Sequence, residues 1–144
     1  MSTQSQMIKA KLMNFDPLMF DAREFRSKFQ LPTGLSPQSL RLQANLIAEE
    51  AREVDEAVVD LDERLGHRSD HKARKEHLLK ELGDLVYVCY QMAAAFGWNL
   101  TEAYSRIHNS NLSKLGEDGQ PIRREDGKIL KGPNYYEPDL SDLV

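Results

Sequence analysis

Residues 36–66 read SPQSLRLQANLIAEEAREVDEAVVDLDERLG, and residues 69–97 read SDHKARKEHLLKELGDLVYVCYQMAAAFG. In the first stretch, Ser36-Pro37 sets an N-cap hydroxyl before a proline at the first helical position, where a missing N–H is no loss. Leu40, Ile47, Ala51, Val54, Val58, Leu61 and Leu65 then share one helical face, widened by Leu46 and Ala57. Gly66 is a natural residue to follow the last turn. In the second stretch, a helix starting near Ser69 or Asp70 carries Leu78, Leu82, Leu85, Cys89, Met92 and Phe96 along one seam and closes at Gly97. Two long amphipathic helices joined by a few polar residues read as an antiparallel hairpin.

The flanking sequence extends the helical reading. Asp16-Pro17 repeats the cap-and-proline device, and Leu18, Ala22, Phe25 and Phe29 follow at helical spacing until Leu31-Pro32 ends the run. Met7, Ile8 and Leu12 suggest a short helix before it, behind a polar start expected to fray. Asn99 caps a fourth helix, with Glu102 placed as in a capping box and Ala103, Ile107 and Leu112 on its apolar side. After Gly116 the period stops. Asp118-Gly119 and Asp126-Gly127 mark turns, and a small β-hairpin about the second is expected. The fold class is therefore all-α, a helical bundle with a short irregular or β-hairpin C-terminal arm. Residues 1–144 read as a single domain: segment 1–14, helical core 15–115 and arm 116–144.

Composition bounds the function. The 144 residues carry 19 Lys+Arg against 23 Asp+Glu, a formal net charge of -4. A pI near 5.6 argues against a direct nucleic-acid partner. Cys89 is the one cysteine, so neither an internal disulfide nor a thiolate-only zinc site can form. The longest apolar stretch, Leu85–Phe96, is shorter than the ~18 residues a membrane span needs. No basic start leads into an apolar signal segment. A cytoplasmic protein of a reducing compartment, without a membrane partner, is expected.

Four acids stand where a solvated helix face would not put them. Glu50 lies inside the apolar sector, near Leu46, Ile47 and Val54, with Glu53 at its edge. Glu81 lies beside Leu78, Leu85 and Val88, with Asp84 at the corresponding edge. In an antiparallel hairpin, facing residues have nearly constant index sums. Indices 50 and 84 sum to 134, and so do 53 and 81, which centres the hairpin on the expected turn. The four carboxylates then share one height, roughly 21 Å from the turn at 1.5 Å per residue. One such pair alone would read as rim residues matched to Lys or Arg. Two pairs in matched register read as a cation site, since clustered carboxylates repel unless a cation is present. All-oxygen ligation favours Mg²⁺, with Mn²⁺ able to substitute, and the absence of Glu-x-x-His pairs argues against a di-iron bundle. Mg²⁺ held by carboxylates commonly serves phosphoanhydride chemistry.

Glu49-Glu50-Ala-Arg-Glu53 followed by Glu81-Leu-Gly-Asp84 resembles the EExxE…ExxD pattern of the all-α nucleoside triphosphate pyrophosphohydrolases, with residues 54–80 between at the long end for that group. That group takes in MazG, dimeric dUTPases, dCTP pyrophosphatases and phosphoribosyl-ATP pyrophosphohydrolases. The run His108–Leu115 and the arm after it look most like stand-alone MazG-like proteins of bacteria and phages. The resemblance covers residue 15 to the end. It implies Mg²⁺-dependent hydrolysis of a (deoxy)nucleoside triphosphate between the α and β phosphates, giving a monophosphate and pyrophosphate, in nucleotide-pool house-cleaning. By matching positions, Glu50, Glu53, Glu81 and Asp84 hold the metal. Glu49, which points away from the apolar centre, holds or orients the attacking water, and Glu50 joins it in the catalytic set. Asn111 and Lys114, one turn apart, resemble the family's phosphate-contacting element. Lys131 and Tyr135 on the arm, with Lys128 beside them, are further substrate-binding candidates.

Alternatives remain open. A dUTPase-type activity that accepts diphosphates is the nearest, and phosphoribosyl-ATP ranks lower because the arm does not look like that branch. A non-catalytic helical module using its acidic face is the rival from another class. Arg106 and His108 are lesser candidates. The cations His67, Arg68, His71, Lys72, Arg74 and Lys75 are read as partners of the acid-rich end Asp55–Glu63 across the hairpin. Cys89, Trp98, Phe15 and Phe20 are assigned to core packing. Two long stripes exceed what one chain can cover, so a homodimer or higher homo-oligomer is expected.

Overall fold

The computed structural model describes residues 16–67 and 71–144. The short helix expected over Met7–Leu12, Phe15, and the expected start of the third helix at Ser69 or Asp70 lie outside them. The described residues form four α-helices: α1 (Pro17–Lys28), α2 (Pro37–Leu65), α3 (Lys72–Phe96) and α4 (Leu100–Leu112). A single 3-10 turn, Ser141–Leu143, follows near the C-terminus. None of these helices is long and apolar enough to cross a membrane. The chain divides into two compact units, one ending at Gly97 and the other spanning Trp98–Val144.

In the first unit the helices begin where local chemistry satisfies their free N–H groups. Asp16 accepts from the Met19 amide at 3.1 Å, with Pro17 in the first turn. Ser36 accepts from the Ser39 amide at 3.0 Å, and Ser39 Oγ accepts in return from the Ser36 amide at 2.9 Å. At the far end of α3, Gly97 takes the left-handed conformation, φ 76°, that a glycine tolerates without strain. Gly66 after α2 does not; its φ is -76° and the backbone turns without a left-handed cap.

α3 is the central element, with α2 and α1 packed on it. Arg74 Nε lies 3.0 Å from Asp60 Oδ2, an ion pair between α3 and α2 whose indices again sum to 134. This bears out the register, and pairs a cation of the turn-proximal cluster with an acid of α2. On the other side, Gln91 Nε2 donates to the Ala22 carbonyl at 3.3 Å, and Phe25 meets Tyr87 edge-on with centroids 5.7 Å apart. The Gly34 amide donates to the Ala95 carbonyl at 2.8 Å, tying the α1–α2 loop to the end of α3.

Burial corrects the expected stripes. The buried apolar residues are small or flexible: Met19, Ala22, Ala57, Ala93 and Ala95. On α1 the covered face is Met19, Ala22 and Arg26, while Leu18 and Phe29 are exposed. Arg26 belongs to that covered face, its guanidinium donating to the Pro32 carbonyl beyond the end of α1. Phe20, assigned to the core, is also exposed. On α2 and α3, Leu40, Val58, Leu65 and Leu82 stay exposed, and Leu79 outside the seam reaches 70%. Three helices cover each other only along their mutual contacts, and the rest of each apolar face has no cover within the described residues.

In the second unit, the Asn99 side chain accepts from the Glu102 amide at 3.1 Å. The reciprocal half of the expected capping box is missing, because the Glu102 carboxylate binds Arg106 Nε at 2.9 Å. Arg106 also donates to the Asp139 carbonyl at 2.9 Å and to both carboxylate oxygens of Asp142, anchoring the C-terminal turn to α4. The expected hairpin reduces to one antiparallel bridge between Arg123 and Ile129 about Gly127, whose φ is 85°.

Candidate functional site

α2 and α3 carry the acids, and the hairpin register decides which of them meet. Glu50, Glu53 and Glu81 each present a carboxylate oxygen, and these three atoms lie within 4.8 Å of one another. Glu50 and Glu53 are half-buried, and the Glu81 side chain is only 4% exposed. Oε2 of Glu50 is buried and accepts no hydrogen bond. Burial first, then the charges of Glu53, Asp84 and Glu81, push the Glu50 carboxyl above its ordinary range, while Lys80 pulls it down.

A buried carboxylate oxygen without a donor is unfavourable, and two further carboxylates within 4.8 Å add repulsion. A hard divalent cation answers both: it takes oxygen ligands, fills the vacant valence and offsets the clustered charge. The residues present therefore fit Mg²⁺ or Mn²⁺, with Glu50, Glu53 and Glu81 as the group that could hold it.

Asp84 stands outside this trio. It is half-buried, and its Oδ2 accepts from Lys80 Nζ at 2.8 Å. Its charge still reaches Glu50. Glu49 lies on the exposed side of α2, also outside the trio. Two residues at the cluster were not foreseen from sequence. Lys80 Nζ is 3.1 and 3.2 Å from the two oxygens of Glu81, and His77 Nε2 is 2.9 Å from Glu81 Oε1. The signal was there: His77 precedes Glu81, and Lys80 precedes Asp84, by one turn of the same helix.

The other candidates gather in the second unit. Lys114 Nζ donates to Asn111 Oδ1 at 2.6 Å. The Gly132 amide donates to the Lys114 carbonyl at 2.9 Å, laying the arm on the end of α4. Beside that contact, Lys131 Nζ sits 4.2 Å from the centre of the Tyr135 ring and 3.2 Å from Glu137 Oε1. Asn111, Lys114, Lys131 and Tyr135 thus form one polar patch in which Lys131 and Lys114 both act on Glu137. Arg106 is committed to Glu102 and Asp142. Lys128 and His108 are exposed. Cys89 is half-buried, with its thiol pushed up by burial, as suits an unreactive packing residue.

Comparison with known proteins gives one family. Residues 7–111 match the phosphoribosyl-ATP pyrophosphohydrolase family, a span that takes in α1, α2, α3 and nearly all of α4. No curated protein matches the chain. The chain belongs to the phosphoribosyl-ATP pyrophosphohydrolase family, and through it to the MazG-like all-α nucleoside triphosphate pyrophosphohydrolase superfamily.

Proposed function

We propose that this member of a pyrophosphohydrolase family cleaves a nucleoside triphosphate between the α and β phosphates, releasing a monophosphate and pyrophosphate in a Mg²⁺-dependent reaction. The observation that carries the reading is the Glu50 carboxylate, which has a buried, unpartnered Oε2 and an oxygen within 4.8 Å of oxygens of Glu53 and Glu81. Glu50, Glu53 and Glu81 would hold the cation, joined by Asp84 once its pairing to Lys80 is released. Once bound, the cation would supply charge stabilisation for the oxygens of the pentacoordinate phosphorus and of the departing phosphate. Glu49, exposed one position before Glu50 on α2, takes the proton of the attacking water. A P–O bond forms from water, the bridging P–O bond breaks, and the electron pair leaves with the departing phosphate group. Lys114, Asn111, Lys131 and Tyr135 supply cationic and polar contacts to the polyphosphate or nucleoside.

A second substrate reading is phosphoribosyl-ATP, and the family match favours it. The reacting bond is the same in both, an anhydride between α and β phosphates, so the trio of acids serves either. The arm, residues 116–144, lies outside the matched span. We propose further that the protein works in the reducing cytoplasm, in nucleotide-pool control, as a homodimer or higher homo-oligomer whose contacts cover the exposed faces of α2 and α3. Steady-state kinetics on a panel of ribo- and deoxynucleoside triphosphates, dUDP and phosphoribosyl-ATP tests the substrate assignment. A kcat/KM at least tenfold higher for a free triphosphate other than dUTP supports the leading reading. Preference for phosphoribosyl-ATP or for dUTP and dUDP installs the corresponding alternative, and no turnover on any of them leaves the helical interaction module.

A further inference from the structure

The acid cluster already contains a cation of the protein's own. Lys80 Nζ lies 3.1 and 3.2 Å from the two oxygens of Glu81 and 2.8 Å from Oδ2 of Asp84. One ammonium therefore bridges the two acids of the α3 pair, and its charge acts on Glu50 of α2 as well. Lys80 and Asp84 lie one turn apart on the same face of α3, and the long Lys80 side chain also reaches the neighbouring Glu81. Its side chain is 60% exposed, which leaves it free to swing into solvent without opening the core.

We infer that Lys80 is a resident counter-cation that offsets part of the charge of the metal-free cluster and must be displaced from Glu81 and Asp84 when a divalent cation binds. The inference rests on the reading of these acids as the metal site. An oxygen that accepts from the ammonium does not offer the same lone pair to a metal, so metal binding is an exchange of cations rather than an addition. Two consequences follow in opposite directions. Lys80 stabilises the metal-free protein by offsetting repulsion among Glu50, Glu53, Glu81 and Asp84. It also weakens divalent-cation binding, because part of the site's negative charge is already taken. A lysine with a merely structural role would give the reverse sign for the second effect, since its loss would loosen the site.

Titration calorimetry with Mn²⁺ alone, on wild type, Lys80→Met and Lys80→Arg, decides the matter. The Met variant should bind Mn²⁺ roughly 2–10-fold more tightly, the range set by ion pairs to an ammonium that is itself mostly exposed. It should also melt at a lower temperature in chelator. Lys80→Arg keeps the charge and should stay near wild type in both measurements; Lys80→Gln repeats the neutral test if Lys80→Met folds poorly. Equal or weaker Mn²⁺ binding by the neutral variants, with wild type binding normally, overturns the role of Lys80 and leaves the metal site standing. Absence of Mn²⁺ binding by wild type overturns both.

Discussion

Replacing Glu50 by glutamine should make the metal-free protein more stable and the metal-loaded protein less so. The carboxylate oxygens of Glu50, Glu53 and Glu81 lie within 4.8 Å of one another, so Glu50 takes part in two of the three repulsive pairs. At 4.8 Å each pair of unit charges repels by about 3.5 kcal/mol at an effective dielectric near 20, and by about 0.9 kcal/mol in bulk water. Glu50 and Glu53 are only half-buried, so solvent screening draws the pairwise values toward the lower figure. The amide also avoids the cost of burying a charged, unpartnered oxygen, while forfeiting the attraction of Lys80. A net gain on the order of 1–2 kcal/mol in chelator is expected, which for a chain of this size raises Tm by roughly 3–6 °C. With Mg²⁺ in hundredfold excess over its Kd, wild type gains about 2.7 kcal/mol, whereas the variant has lost a ligand and gains far less. The order of stability should therefore invert between chelator and Mg²⁺, read by thermal melts at 222 nm. A Glu50→Gln variant less stable than wild type in chelator, or the same order in both buffers, would show that Glu50 is not held in a repulsive cluster that a cation relieves.

Other expectations follow from the second unit and the hairpin. A Cβ on Gly132 would collide with the Leu115 carbonyl oxygen and stand 2.7 Å from that of Lys114. Gly132→Ala should thus lift the arm off α4 and destabilise by about 1–3 kcal/mol, with a raised KM for the nucleotide as the functional readout. Asp126, Glu137, Asp139 and Asp142 are all held below the ordinary carboxylate range: by Arg124, by Tyr135 and Lys131, by Ser141 and by Arg106 respectively. Depressed carboxylates bind fewer protons folded than unfolded, so their stabilisation is complete above their unfolded values and is lost as pH falls through the folded ones. Trp98, the only tryptophan, reports on this unit, and its fluorescence should show the arm loosening below about pH 4, with Asp142→Asn shrinking the effect. Asp60→Ala should leave Arg74 without its partner across the hairpin and lower Tm by no more than a few degrees, as fits a pair whose acid is exposed.

How much could be read from the chain alone depended on how local the cause was. Asp16-Pro17, Ser36-Pro37, Gly97 and Asn99 act within one turn, so the helix ends they set were legible. The index sum of 134 was legible too, because a hairpin with a short turn leaves little freedom of register, and Arg74–Asp60 sits on it. What depended on neighbours was not. Glu102 was read as half of a capping box, but a nearby Arg106 competes for its carboxylate. The stripe on α1 was drawn through Leu18 and Phe29, whereas the fold covers Met19, Ala22 and Arg26. In the cluster, three acids of the expected four meet; Asp84 is drawn to Lys80, a residue that helical periodicity assigns to a solvated face. His77 and Lys80 carry no ligand signature of their own; their place at the cluster comes from the acids one turn later on the same helix.

The most direct test is a ³¹P NMR time course of the purified protein with Mg²⁺ and a nucleoside triphosphate or phosphoribosyl-ATP. The account predicts pyrophosphate and the monophosphate rising together in equal amounts. It also predicts that chelator abolishes both, and that Glu50→Gln and Glu81→Gln lower both by at least a hundredfold. Orthophosphate as the released product, or pyrophosphate release that survives both substitutions, would contradict it.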